Sequence, residues 1–398
     1  MKWLWVIFVM GRGFFFSSEV CAQTDHEEDY DTAIVTRVME MVRQHYVDPA
    51  RTNYRVLTYG ALEGVLDSLD PHSQFLTPDL YRALQKETEG QFEGIGLTLG
   101  LKEGKITIIT PADDSPAAKA GLAAGDKILA IDGQVTESLS VWEVANRLRG
   151  PEGSTVKLKV LRIKTQQIEE FTLQRAVVKS QSVKESNLLD AKLTGNQPIG
   201  YLRLTQFNEG TGEDFEKALI RLEAQKMKGL ILDLRNNPGG LLDTAVEVAG
   251  KFIAPNEVVV STEGRSDQSR AIFRSEEGEK HVSYPIVVLI NTGSASGAEI
   301  VAGALKDWKK AILIGETTFG KGSVQSLFPL PDGSAIRLTT AYYYTPQHKL
   351  IHERGIAPDI TVVKDSEILP RAINLLKGVL IYSDYLINHS IAATNRSH

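Results

Sequence analysis

Cysteine is almost missing from this sequence, since Cys21 is the single one among 398 residues. It lies in an N-terminal segment where Lys2 precedes an apolar run and Val20-Cys21-Ala22 offers the small or apolar residues of a cleavage site. The segment, residues 1–22, resembles a secretory signal, and Arg12 within it argues against a stable membrane span. We therefore expect export to the periplasm or cell envelope. The mature chain would lack cysteine, which excludes disulfides, thiol chemistry and a thiolate metal site.

The sequence also lacks an excess of positive charge. Lysine and arginine number 44 against 50 aspartates and glutamates, which gives a net charge of −6, and no basic cluster interrupts the chain. These features argue against a nucleic-acid partner. A hydrophobic fraction of 42% with 24% charged residues is typical of a globular protein. The length allows two or three domains.

The histidines predict no metal site. His348 and His352 are four residues apart, but no acidic residue completes a zinc-binding helix signature and Pro346 argues against a helix there. His72 and His281 leave a Ser-His-Asp triad open as an alternative. The sequence Asp70-Pro71-His72 also fits a capping or turn role for His72.

The pattern of apolar, polar and turn-forming residues changes along the chain and predicts four regions after the signal. Residues 29–89 form a helical region, with helices over 31–46, 55–69 and 79–88. Residues 90–177, made of short strands and turns, form one small domain. An α/β region covers residues 178–365 and begins with a polar connector at 179–187. Residues 366–398 are a C-terminal helix and tail.

Alternating apolar runs and amphipathic stretches predict the elements of the α/β region. Strands are expected over 199–204, 229–234, 286–291, 311–315, 324–330 and 335–344. Helices are expected over 213–225, 241–252, 297–308 and 367–380.

The stretch from Ile286 to Leu327 organises this region. Its first apolar run ends in a Gly/Ser-rich turn, a helix opens at Ser296, and a second apolar run leads to Lys321. The layout predicts that a hydroxyl and an amine lie within reach of each other at the rim of a core.

The surroundings of Lys321 resemble a phosphate-binding loop only in part. The spacing of Gly315, Gly320 and Lys321 fits that motif, but Gly322 stands where it needs Ser or Thr, and a strand rather than a helix follows. The sequence therefore predicts no nucleotide cofactor.

Ser296 and Lys321 form the candidate pair for nucleophilic catalysis. A neutral lysine can take the proton of a serine hydroxyl, provided that burial lowers its pKa. Ser296 at a helix start would also place developing negative charge at the positive end of the helix dipole. The alternative is that Ser296 caps the helix and Lys321 is a surface lysine, and the pattern alone leaves both open.

Two glycine-bearing loops are candidate binding elements. The turn at Gly239-Gly240 could point backbone amides into a cleft, or could be a plain strand-to-helix turn. The loop from Gly94 to Leu97 precedes a strand and could present amides to a peptide carboxylate.

Taken together, these motifs resemble the carboxyl-terminal-processing (tail-specific) proteases, peptidase family S41. The resemblance covers nearly the whole mature chain. Its motifs are residues 46–49, 69–73, 92–96, 115–117, 120–122, 125–126, 232–240 and 355–359. It implies a PDZ domain inserted at 90–177 and a crotonase-like (ClpP/crotonase-type) α/β catalytic core.

The resemblance also implies roles for single residues. Ser296 would be the nucleophile, Lys321 the general base, and Gln325 would help to hold the lysine. That contact needs long side chains or a bend at Gly322, because residues four apart in a straight strand lie roughly 13 Å apart. The backbone amides that would form the oxyanion hole belong to Gly297 and to the turn Gly239-Gly240. The family usually has Ala and Ser where this chain has Gly297 and Ala298, which leaves a backbone amide in place.

The implied activity is serine endopeptidase cleavage through an acyl-enzyme, with no metal or cofactor. Protein substrates with exposed apolar C-termini would bind the PDZ domain at Gly94, Ile95, Gly96 and Leu97. The rival functions are a non-catalytic PDZ peptide-binding protein on the same scaffold and a Ser-His-Asp hydrolase. The sequence does not decide whether the protein forms a homo-oligomer or uses an adaptor.

Overall fold

This computed structural model describes residues 25–394, except 71, 103, 113, 124, 138, 140, 180, 267–269, 279 and 282. The predicted secretory signal, with Cys21, lies outside the described residues. The chain divides into two compact units, Met1–Leu69 and Asp70–His398. Among the described residues, no helix is both long and apolar enough to cross a membrane.

The first unit is helical. It contains α1 (Asp25–His45), a 3-10 turn (Pro49–Arg51) and α2 (Tyr54–Asp67). Asp48 and Asn53 cap the turn and α2, since their side chains accept hydrogen bonds from the amides of Ala50 and Arg55. Both predicted helices are confirmed, with α1 starting before residue 31.

The second unit begins with a short strand, a helix and a small antiparallel sheet. The elements are β1 (Gln74–Leu76), α3 (Pro78–Thr88), β2 (Gln91–Gly94), β3 (Leu97–Lys102), β4 (Lys105–Pro111), α4 (Pro116–Lys119), β5 (Lys127–Ile131), β6 (Gln134–Val135), α5 (Val141–Leu148), β7 (Thr155–Leu161), β8 (Ile168–Gln174) and β9 (Ala176–Lys179).

The small sheet has its own core. Its strands follow the order β3-β4-β5-β7-β8, with β6 on β5. Along β7 every second side chain is buried, namely Val156, Leu158 and Val160, because alternate residues of a strand face opposite sides. They pack with Ile95 and Leu148. Strands β2 and β9 pair antiparallel, so the chain enters and leaves this part side by side.

The α/β part follows. Its elements are β10 (Val183–Leu188), α6 (Ala191–Thr194), β11 (Ile199–Leu204), α7 (Thr211–Ala224), β12 (Gly229–Asp233), α8 (Leu242–Gly250), β13 (Val258–Gly264), β14 (Ala271–Arg274), β15 (Ile286–Ile290), α9 (Gly297–Asp307), β16 (Ala311–Gly315), β17 (Ser323–Pro329), β18 (Ala335–Tyr344), β19 (Ile360–Thr361) and α10 (Asp365–Thr394).

A six-stranded sheet in the order β10-β11-β12-β15-β16-β19 forms the centre, parallel except for β10. Helices cover both faces, so β12 and β15 are apolar almost throughout and wholly buried. Residues such as Leu202 and Val288 face the core of α7, α8 and α9. Tyr201 and Leu289 face α10 on the other side. The turns that follow β12 and β15 therefore start from buried strands of this sheet.

A second, antiparallel sheet joins β1, β18, β13 and β14, and β17 pairs with β18. It carries two segments that matter for the site. Gln74 lies opposite Arg337 in the β1–β18 register, and Gln325 lies opposite Thr339 in the β17–β18 register. Distant parts of the sequence thus meet on β18.

Some details of the predicted elements were wrong or missing. The polar stretch 179–187 is not only a connector, since Val183–Leu188 forms the edge strand β10, whose polar side chains face outward. The strands β13 and β14 were not predicted. The last helix continues past Leu380 to Thr394.

Candidate active site

Ser296 sits at the tip of the turn between β15 and α9 in an uncommon backbone conformation. Its φ and ψ are 52° and −113°, a region that a residue with a side chain rarely adopts. Such conformations cost about 1–3 kcal/mol and persist only where neighbouring contacts hold them.

Hydrogen bonds from buried groups hold this turn. The Ser294 hydroxyl lies 3.0 Å from the amide of Asn291 and 2.8 Å from the carbonyl of Leu234. The Asn291 side chain accepts from the amide of Asn236 at 2.9 Å. The turn is therefore tied to the neighbouring turn after β12, which carries Gly239.

Glu299 joins the turn of Ser296 to the loop of Lys321. Its carboxylate is fully buried and accepts from the amides of Ser296 at 2.8 Å, Gly320 at 2.7 Å and Lys321 at 2.9 Å. It also accepts from the Thr318 hydroxyl at 2.5 Å. The amides of Ser296 and Lys321 share one oxygen, so the backbones of the candidate pair are neighbours.

Burial raises the pKa of Glu299, and the hydrogen bonds from Thr318, Gly320, Ser296 and Lys321 oppose that rise. The sequence analysis did not single out this residue. Its signal was present, since a Glu three residues after a helix-opening Ser fits a capping box. That pattern explains the bond to Ser296, but not the bonds to the distant loop.

The Lys321 side chain is half-buried, and its amine forms no hydrogen bond or ion pair with the described residues. Burial lowers the pKa of this amine, the charge of Arg337 lowers it further, and Glu299 acts in the opposite direction. A lowered pKa increases the neutral fraction of the amine, which is the form that accepts a proton.

Gln325 lies near the start of β17, with a β-bulge between Val324 and Gln325. Its amide nitrogen donates to the Thr339 hydroxyl at 2.9 Å and to the Ser323 hydroxyl at 3.2 Å. Its carbonyl oxygen is buried and has no hydrogen-bond partner among the described residues. The expected hydrogen bond to Lys321 is not formed in this structure, while the acceptor for it is unused.

Of the two glycines in the turn after β12, Gly239 approaches Ser296 more closely than Gly240. A Cβ on Gly239, whose φ is 96°, would lie 2.6 Å from the Cβ of Ser296 and 2.7 Å from the amide nitrogen of Gly297. The amide of Gly239 donates to the Asn237 side chain at 2.9 Å. The amides of Gly240 and Gly297 donate to no group in the described part of the chain. The unused donors are therefore those of Gly240 and Gly297.

His281 is placed away from this arrangement. It is buried, with its ring nitrogens 2.7 Å from Glu223 and 3.1 Å from Glu216. Burial lowers the pKa of His72, and the positive charge of Lys321 lowers it further, so this ring lies within electrostatic reach of Lys321. Neither ring hydrogen-bonds to Ser296 within the described ranges. No group of acidic, histidine or cysteine side chains among the described residues could hold a metal ion.

A cavity of about 250 Å³ lies beside the predicted peptide-binding loop. Gly94, Ile95, Gly96 and Leu97 line it, together with Leu148 of α5 and other residues that include Gln206 of the α/β part. The amides of Ile95 and Gly96 have no acceptor in the described portion of the chain. The Ile95 side chain is 1% exposed and belongs to the core of the small sheet, so it supports the loop from beneath.

Comparison with known proteins gives consistent matches. A model of peptidase family S41 matches residues 198–362, and a PDZ-domain model matches residues 107–162. The chain is 40% identical to a carboxy-terminal-processing protease of Bartonella bacilliformis, over 82% of this chain and 73% of that protein. It is 42% identical to a carboxyl-terminal-processing protease of Synechocystis sp., over 81% of this chain and 74% of that protein.

A solved structure described as a photosystem II D1 C-terminal processing protease is also similar. The TM-score is 0.56 with 30% identity, and the match covers 86% of this chain and 97% of that chain. The similarity therefore extends across the small sheet and the α/β part together.

Proposed function

Because this chain belongs to the carboxyl-terminal-processing proteases of peptidase family S41 and is a serine-type endopeptidase, we propose that Ser296 and Lys321 are its catalytic dyad. Ser296 is the nucleophile and Lys321 the general base. The observation that carries this assignment is the buried carboxylate of Glu299, which accepts from the amides of both residues.

The proposed reaction proceeds through an acyl-enzyme. The neutral amine of Lys321 takes the proton of the Ser296 hydroxyl as the oxygen attacks the scissile carbonyl. The resulting ammonium then returns the proton to the leaving amine. Water, activated by the same lysine, then attacks the acyl-enzyme, so that the acyl group leaves as a carboxylic acid and the Ser296 hydroxyl is regenerated.

The amides of Gly240 and Gly297 form the proposed oxyanion hole. Both are unused donors in the described part of the chain, and Gly297 opens α9, where the helix dipole favours negative charge. Gly239 contributes by the absence of a side chain, because a Cβ there would meet Ser296. This assigns separate roles to the two glycines of the turn.

The PDZ domain, over residues 90–177, is the proposed binding site for the C-terminus of protein substrates. The unpaired amides of Ile95 and Gly96 suit a terminal carboxylate, and Leu97 and Leu148 suit an apolar last side chain. We further propose a crotonase-like core, a catalytic region over 178–365, and export directed by residues 1–22.

Single substitutions test the dyad. Ser296→Ala and Lys321→Ala should each lower kcat/KM for an unfolded protein substrate by about 10³-fold or more, because each removes a group essential to the attack. Circular dichroism should show both variants folded. His72→Ala and His281→Ala are the matched controls for the rival triad. Normal activity of Lys321→Ala together with loss in either histidine variant would replace the dyad by a histidine-based mechanism.

A further inference from the structure

The segment Asp70–Gln74 is an unexplained part of the family resemblance and lies against the strands that carry the site. The carboxylate of Asp70 accepts from the amide of His72 at 2.7 Å, the amide of Ser73 at 2.9 Å and the hydroxyl of Ser73 at 2.8 Å. Burial acts to raise the pKa of Asp70, but the hydrogen bonds from Ser73 and His72 outweigh it, so its pKa is lowered. The ionised group can only accept hydrogen bonds.

Thr339 of β18 connects this turn to β17. Its amide donates to the Ser73 hydroxyl oxygen at 3.2 Å, and the Ser73 hydroxyl in turn donates to Asp70 at 2.8 Å. The Thr339 hydroxyl oxygen accepts from the side-chain nitrogen of Gln325 at 2.9 Å.

Two hydroxyls hold the Gln325 amide in this structure. An amide side chain can turn over and exchange its oxygen and nitrogen, and the hydrogen-bond partners decide between the two orientations. Here the side-chain nitrogen faces the hydroxyls of Thr339 and Ser323. The carbonyl oxygen is left buried and without a partner among the described residues.

The side chain of Lys321 lies within electrostatic reach of the same group of residues. Burial lowers the pKa of His72, and the positive charge of Lys321 lowers it further. His72 precedes Ser73 in the turn. The pKa of Lys321 is itself lowered by burial and then by Arg337, two residues before Thr339 on β18. Lys321 also precedes Gln325 by four residues, across the glycine Gly322 and the β-bulge.

We propose that Asp70, Ser73 and Thr339 are positioning residues, which orient the Gln325 amide so that its carbonyl oxygen accepts from the amine of Lys321. The inference rests on the proposed dyad and assigns a role to a motif that is distant in sequence. None of the three residues touches the substrate. Each acts through Gln325.

Thr339→Val tests the proposal because it keeps the shape of the side chain and removes the hydroxyl. We expect kcat to fall about tenfold with KM unchanged, which at about 1.4 kcal/mol per factor of ten is the size of one hydrogen bond. The carbonyl of Gln325 stabilises the ammonium form of Lys321. Its loss should therefore move the acid limb of the kcat/KM profile to lower pH.

Two matched variants separate positioning from general damage. Thr339→Ser keeps the hydroxyl and should restore kcat and the pH profile. Thr340 is the next residue on β18, and its hydroxyl bonds to Ser326 at 2.7 Å, so Thr340→Val removes a comparable contact outside the network. It should leave both quantities unchanged. If Thr339→Val does not fold, Ser73→Ala breaks the same network from the turn before β1 and should give the same two changes.

The proposal is overturned if a folded Thr339→Val, or Ser73→Ala in its place, has wild-type kcat and an unshifted acid limb while Lys321→Ala is inactive. It is also overturned if Thr340→Val has the same effects. Full activity of Lys321→Ala would instead contradict the dyad itself, so the two failures are distinguishable.

Discussion

At the scale of single residues, the strained conformation of Ser296 and the buried carboxylate of Glu299 belong to one arrangement. The strain disfavours the turn, and the hydrogen bond from the Ser296 amide to Glu299 helps to hold it. The same carboxylate fixes the loop of Lys321. One buried side chain thereby connects the turn of the proposed nucleophile to the loop of the proposed base.

Glu299→Gln should show how much depends on this carboxylate. The amide keeps the size but places an NH₂ group opposite backbone donors, so at least one buried N–H loses its acceptor. We expect unfolding free energy to fall by about 1–3 kcal/mol in urea titrations, and kcat to fall as well.

Glu316→Gln is the control for Glu299→Gln. Glu316 is another carboxylate of the Lys321 loop, without a hydrogen bond or ion pair from its side chain to the described residues. It should behave as wild type. Equal stability and activity of the Glu299→Gln variant and the wild-type protein would show that Glu299 does not hold the two loops.

At the scale of elements, the sequence predicts best the strands whose apolar pattern results from burial. The strand Ile199–Leu204 has the predicted bounds, because it is buried almost throughout between helices and is therefore mostly apolar. The strand Ala311–Gly315 also has the predicted bounds, and its last three residues are buried. The edge strand β10 was missed because its exposed polar residues look like a connector.

The candidate site also has features that the sequence predicts and contacts that it does not. Ser296 and Lys321 could be proposed from the sequence because the family motifs surround them. The bonds of Glu299 to the Lys321 loop and of Gln325 to Thr339 could not, because they join residues on different elements. Sequence spacing predicts which neighbours a helix or strand brings together, whereas these contacts depend on how sheets and loops pack.

At the scale of the whole molecule, the proposed function assigns substrate choice and cleavage to different parts of the second unit. The cavity beside Ile95 and Gly96 also includes Gln206, which follows β11 of the catalytic sheet. A peptide end bound there would therefore lie beside both parts.

A free apolar C-terminus should bind the full-length Ser296→Ala protein more tightly than its amidated form. Amidation removes the charge and sets a donor opposite the amides of Ile95 and Gly96. Charge-assisted hydrogen bonds contribute about 1.5–3 kcal/mol, so affinity measured by calorimetry should fall by about ten- to a hundredfold. Equal affinity for both peptides would contradict carboxylate capture and leave a structural insert or lid as the role of the domain.

The central claim, that Lys321 deprotonates Ser296, is tested most directly by the pH dependence of covalent labelling. A fluorophosphonate reacts with an activated serine, and mass spectrometry of the digested protein identifies the labelled residue. Burial and Arg337 lower the pKa of Lys321, so its neutral form should appear below the ordinary pKa of about 10.4. The labelling rate at Ser296 should therefore rise with pH through that lowered pKa and be lost in Lys321→Ala. A rate that is flat between about pH 6 and 10, or that persists in Lys321→Ala, would contradict the account.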